Sequence, residues 1–142
     1  MNREAHLPGL RHYKSYALSI QVIDRYAKRF FIKVIQISVQ GNHIHMLLRA
    51  HKRSLFHHFF RVVAGQIAQG LGRCVTDTPN SPQNRVKFWK YRPFSRVVKS
   101  WTAEKMVRNY IQLNEKEARG EIPYSKDRLK GLTLEQINEL WE

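Results

Sequence analysis

Phe31-Ile32-Lys33-Val34-Ile35-Gln36-Ile37-Ser38-Val39-Gln40-Gly41-Asn42-His43-Ile44-His45-Met46-Leu47-Leu48-Arg49-Ala50 reads as two strands and the turn that joins them. Phe31 to Val39 is rich in β-branched residues, with Ile32, Val34, Ile35, Ile37 and Val39. That is strand chemistry. Gln40-Gly41-Asn42 is a turn signal, and Asn42 to Ala50 is the second strand. So short a polar link predicts an antiparallel hairpin. Successive side chains of a strand alternate between faces. Ile44, Met46 and Leu48 therefore share the face that enters the core, and His43 and His45 project side by side from the other.

Working outward, Tyr16, Ile20, Ile23, Ala27 and Phe30 recur every three or four residues, which predicts an amphipathic helix over Tyr13 to Arg29. A second helix is expected over Arg53 to Leu71, capped by Ser54, with Gly70 and Gly72 marking its end. Thr76 to Asn84, with Pro79 and Pro82, reads as a loop. Val86 to Trp89 and Phe94 to Val98 look like two short strands. Thr102 opens a third helix with Glu104 in its first turn, where an acid suits the helix dipole. Its apolar positions are Met106, Val107, Tyr110, Ile111 and Leu113, and Gly120 ends it. Thr133 to Trp141 is expected to form a short terminal helix. The order predicts an α+β fold, an antiparallel β-sheet packed with helices. Residues 1–142 form a single domain, with 121–142 as a C-terminal tail.

Charge narrows the function. Lys plus Arg number 25 against 11 Asp plus Glu, and the net charge is +14. Such an excess implies a polyanionic partner. No segment approaches the roughly 20 apolar residues that span a bilayer. The first residues carry no apolar run of a signal peptide. A cytoplasmic protein without a membrane partner is expected, and nucleic acid is the favoured polyanion. The single cysteine, Cys74, excludes an intrachain disulfide and a cysteine-based zinc site.

Three groups of residues carry chemistry. His43 and His45 can converge on one metal ion, in the neutral state that a ligand needs. The same spacing also suits two polar side chains on a half-buried strand. His6, His12, His51, His57 and His58 are scattered or adjacent and make weaker ligand candidates. Tyr110 and Asn114 stand four apart on one helix face. Asn114 can offer an oxygen ligand and Tyr110 a nucleophile, although a Tyr among Met106, Val107 and Ile111 is more usually a core residue. Arg85, Lys87, Lys90, Arg92, Arg96 and Lys99 interleave with Phe88, Trp89, Tyr91 and Phe94. Cations among rings suit single-stranded nucleic acid, with some of the rings assigned to the core.

Gln40-Gly41-Asn42-His43-Ile44-His45-Met46-Leu47-Leu48 resembles the His-hydrophobic-His signature of the HUH-type tyrosine transposases, which include insertion-sequence and REP-associated enzymes. Phe88 to Val98 is similar to the family's aromatic segment, and Tyr110-Ile111-Gln112-Leu113-Asn114 to its catalytic-tyrosine helix. All three occur in the family's order over roughly Tyr13 to Arg119. The resemblance implies an HUH-endonuclease-like fold, related to the ferredoxin-like one. It implies that His43, His45 and Asn114 hold a divalent metal, Mg2+ or Mn2+. Tyr110 would cut single-stranded or hairpin DNA, leaving a 5′-phosphotyrosine link and a 3′-OH, and then transfer the strand. Arg85, Lys87, Trp89, Lys90, Tyr91, Arg92 and Arg96 would bind that DNA. Insertion-sequence relatives are commonly homodimers, whereas REP-associated ones can act as monomers.

The chain departs from the family in three places. About a dozen weakly patterned residues stand where relatives have a strand before the first helix. A truncated N-terminus would leave the sheet short of a strand and its edge exposed. Ser95 replaces a frequent Asp, and Asn114 replaces the commoner, longer Gln. The competing reading is a catalytically inactive, domesticated nucleic-acid-binding module, which needs only the basic aromatic surface.

Overall fold

The computed structural model describes residues 1, 9–72, 88–90 and 92–124. Cys74, the loop of 76–84, Arg85, Val86, Lys87, Tyr91 and the terminal helix expected over 133–141 lie outside the described residues. The elements in order are α1 (Tyr13–Arg29), β1 (Lys33–Val39), β2 (Ile44–Arg49), α2 (Arg53–Gly72) and α3 (Trp101–Ala118). The strands pair antiparallel, and the fold is α+β.

The hairpin separates two layers. Val39 and Ile44 enter the core with Val22, Ile23 and Ala27 of α1 and Phe59, Val63 and Ile67 of α2. Met46 and Leu48 pack against the same cluster, as strand alternation requires. The register slips by one residue between Val34 and Gln36, which leaves Ile35 as a β-bulge. The extra residue keeps Val34, three positions from Ile37, on the core side with Ile37 and Val39. It also turns Gln36 and Ser38 to the opposite face, where they pair with Leu47 and His45. That second face receives α3, whose buried residues are Ala103, Ile111 and Glu115.

Four local expectations are corrected. Ser54 lies inside the first turn of α2, because the helix already begins at Arg53. The cap of α3 is Ser100 rather than Thr102; its hydroxyl accepts the Ala103 N–H at 3.0 Å, which makes Trp101 the first helical residue. Phe94 to Val98 is not a strand, and among the described residues of the preceding segment only Trp89 forms an isolated bridge. Val97-Val98 has strand propensity, but the segment pairs with neither β1 nor β2, and Pro93 removes one ladder donor. Finally, the edge of β2 is not bare at Ile44. The Met1 amino group donates to the Ile44 carbonyl, and the Ile44 N–H donates to the Met1 carbonyl.

Candidate functional site

The turn between the strands is more than a link. The Gln40 N–H donates to the His43 carbonyl at 2.8 Å and closes it. The Gln40 side-chain amide donates to the Ser38 hydroxyl at 2.6 Å and to the Asn114 backbone carbonyl at 2.9 Å. One side chain thus ties the turn to the last turns of α3. The outer edge of β1 is closed by the same helix: the Val39 N–H donates to Glu115 Oε2 at 3.1 Å. Arg11 donates both to the Val39 carbonyl and to Glu115 Oε1, each at 3.0 Å. Arg119 donates to Glu115 Oε1 at 3.1 Å. A carboxylate that accepts from a backbone N–H and two guanidinium groups fixes the position of α3 along the hairpin.

With α3 held there, His43, His45 and Tyr110 meet. His43 Nε2 and His45 Nε2 are 3.0 Å apart. The Tyr110 ring stands edge-on to His45, with centroids 5.9 Å apart. Asn42 Oδ1 accepts from His43 Nδ1, which leaves the Nε2 lone pair of His43 directed at the shared point. Burial lowers the pKa of His43, and the nearby chain N-terminus lowers it further. His45 falls to about 4, chiefly by burial, then by the neighbouring His43 and the N-terminus. Both imidazoles are therefore neutral at neutral pH, the form in which they bind metal.

The donor spacing fits a divalent ion. Two nitrogens each ~2.1 Å from one ion, at the right angle of an octahedron, lie ~3.0 Å apart. Among the described residues, no cluster of three or more His, Cys, Asp or Glu side chains stands ready to hold a metal. A side-chain amide is one further donor near the tyrosine. Asn114 lies one turn beyond Tyr110, and its Nδ2 is buried with no hydrogen-bond partner. A 180° turn of the amide puts the acceptor oxygen in that orphaned position.

The aromatic segment divides. Trp89 donates its indole N–H to the Ala64 carbonyl at 2.8 Å and packs edge-on against buried Phe88. Lys90, Arg92 and Arg96 are exposed, and the Arg96 guanidinium lies 5.1 Å from the centre of the Phe94 ring. Arg85, Lys87 and Tyr91 are outside the described residues.

Sequence reasoning missed Arg11, Gln40, Asn42 and Glu115. Glu115 sits in the run Asn114-Glu115-Lys116-Glu117-Ala118-Arg119, which looks like a solvated helix face. Its spacing of four from Ile111, a buried position, was the one available signal.

Fold and site together define a basic α+β domain that brings two neutral imidazoles and a tyrosine to one end of a hairpin. The chain belongs to the IS200-like transposase family, whose model matches residues 13–114. That span starts with α1 and ends on Asn114. No curated protein and no solved structure matches the chain significantly. Membership assigns the protein to transposition-related DNA cleavage, with DNA as partner. Enzymes of this family generally depend on a divalent metal. Among the described residues, no helix is long and apolar enough to cross a membrane.

Proposed function

We propose that this protein cuts and rejoins single-stranded or hairpin DNA through a covalent Tyr110 intermediate, with His43, His45 and Asn114 holding Mg2+ or Mn2+. The observation that carries the reading is the edge contact of Tyr110 with His45 within one chain, beside two Nε2 atoms 3.0 Å apart. The bound ion would withdraw charge from the scissile phosphate and orient it. Tyr110 Oη forms a bond to phosphorus while the bond from phosphorus to the 3′-oxygen breaks. The phenol loses its proton, and the departing 3′-oxygen gains one. The products are a 5′-phosphotyrosine and a 3′-OH. Attack by a 3′-OH on the phosphotyrosine reverses the balance and joins the strand, so no nucleotide cofactor is needed. Arg85, Lys87, Trp89, Lys90, Tyr91, Arg92 and Arg96 are assigned to the DNA-facing segment, with Trp89 anchoring it through Ala64.

The test is a denaturing gel after incubation with hairpin-bearing single-stranded DNA and Mn2+. A covalent adduct is expected, and it should vanish in Tyr110→Phe and fall steeply in His43→Ala. An adduct that survives in Tyr110→Phe overturns the assignment. Salt-sensitive binding without an adduct under any divalent ion would leave only the nucleic-acid-binding module. Because Tyr110 faces its own chain's His45, mixing Tyr110→Phe with His45→Ala should not restore the adduct. Restoration would mean that the tyrosine serves a partner's histidines.

A further inference from the structure

We infer that Phe94 and Trp101 form a stacking platform for unpaired bases of the bound strand, a role that Trp89 does not fill. The inference rests on the reading of the chain as a DNA-processing protein and goes on to say which surface the strand follows. Trp89 is half-buried, with its indole N–H committed to Ala64. Phe94 and Trp101 are each 72% exposed, and Val97 between them is 60% exposed. Single exposed apolar residues are ordinary, but two rings and a valine exposed within eight positions of the chain are more than that.

Charge identifies the occupant. Between Asp77 and Glu104 the chain contains no acidic residue, while Arg92, Arg96 and Lys99 flank the two rings. The Arg96 guanidinium lies 5.1 Å from the Phe94 ring centre, so a cation for phosphate and a ring for a base are already side by side. Every base offers a π-face, which makes such stacking tolerant of sequence. Duplex bases are occupied with one another, so the platform selects unpaired nucleotides. Trp101 begins the helix that carries Tyr110, nine residues on. At 1.5 Å per residue the two lie about 14 Å apart along the axis, on the order of four stacked nucleotides. Nine residues are also about two and a half turns, so Trp101 and Tyr110 leave α3 on opposite sides, and a strand seated on the rings would pass around the helix to reach the tyrosine.

The test is fluorescence anisotropy of a labelled oligothymidylate with the full chain, in EDTA, over a salt series. Phe94→Ala and Trp101→Ala should each weaken binding about tenfold with the salt slope unchanged. Arg92→Ala should instead lower the slope by about 0.7. Binding to a duplex should not respond to either ring. Unchanged affinity in the double ring variant overturns the inference. So does a double variant that binds normally but loses a dimer seen by sedimentation, since the patch would then join copies of the chain. Both rings are exposed, so circular dichroism should find the variants folded. If ring variants weaken binding but no adduct ever forms, the platform stands without the covalent chemistry. If the adduct forms and the rings are silent, the platform alone fails.

Discussion

The two ends of the hairpin are built differently. At the turn end, distant parts of the chain close the backbone: Glu115 and Arg11 take the outer edge of β1, Met1 takes Ile44, and Gln40 reaches α3. At the open end, where Lys33 pairs with Arg49, the link to α3 is the ion pair of half-exposed Arg49 with Glu104, which Arg108 also meets. Phe31 and Trp101 stand exposed near that end. The difference teaches where precision is needed. Two imidazoles and a tyrosine must meet within a fraction of an ångström to share chemistry, whereas a surface that follows a strand tolerates looser construction.

The largest effect should come from removing Glu115. It is only 9% exposed and accepts from Val39, Arg11 and Arg119. Glu115→Ala leaves a backbone N–H and a guanidinium without their acceptor, and should cost about 3 kcal/mol. The matching change at the open end, Arg49→Ala, removes a partly exposed pair and should cost under about 1 kcal/mol. Denaturant midpoints of the two variants check this. Equal losses would erase the contrast between the ends. Glu115→Ala should also lose the covalent adduct under conditions where it remains folded, while Arg49→Ala should keep it.

Next in size is stabilisation by metal. An ion that binds the folded chain alone, at a concentration about 100 times its Kd, adds about 2.7 kcal/mol. Mn2+ should raise the melting temperature of the wild type and of Trp101→Ala, but not of His43→Ala or His45→Ala. A shift that persists in both histidine variants would place the ion elsewhere and break the site. Ser100→Ala comes third. It removes the cap of α3 at the open end and should cost about 1 kcal/mol, read as a lower denaturant midpoint with the Mn2+ shift intact.

Much of this contrast was legible in the sequence, and the unread part has one cause. Periodicity gave α1 its bounds and set Ile44, Met46 and Leu48 against the histidines, because burial follows the period of the element. The i,i+4 spacing put Tyr110 and Asn114 on one face, and the order of the motifs matched the IS200-like family. What stayed hidden depends on partners far along the chain. The bulge at Ile35 appears only when β1 is laid against β2. Glu115 appears as a buried acceptor only when Val39 and Arg11 come to it across 76 and 104 residues. Phe94 to Val98 fails as a strand for the same reason: propensity is local, but a strand needs a neighbour's edge. The cap expected at Thr102 fell instead on Ser100, whose hydroxyl meets the Ala103 N–H once Trp101 is helical.

The smallest predicted effect has the opposite sign and lies where α1 passes into β1. Phe31 has a φ of +54° and is 80% exposed. A side chain in the left-handed region sets its Cβ against the following carbonyl and costs roughly 1–2 kcal/mol. The ring recovers little of that, because most of it faces water. Glycine removes the clash but gives the unfolded chain more freedom, worth roughly 0.5–1 kcal/mol. Phe31→Gly should therefore stabilise the protein by about 0.5 kcal/mol, the difference of these two terms. A slightly higher denaturant midpoint checks it. The Mn2+ shift and the adduct should be unchanged, since the residue sits at the end of the hairpin away from His43. A lower midpoint would mean that the ring holds contacts the exposed patch does not suggest. A lost adduct would mean that strain at the open end reaches the turn end, and the two would then have to be treated as one mechanical unit.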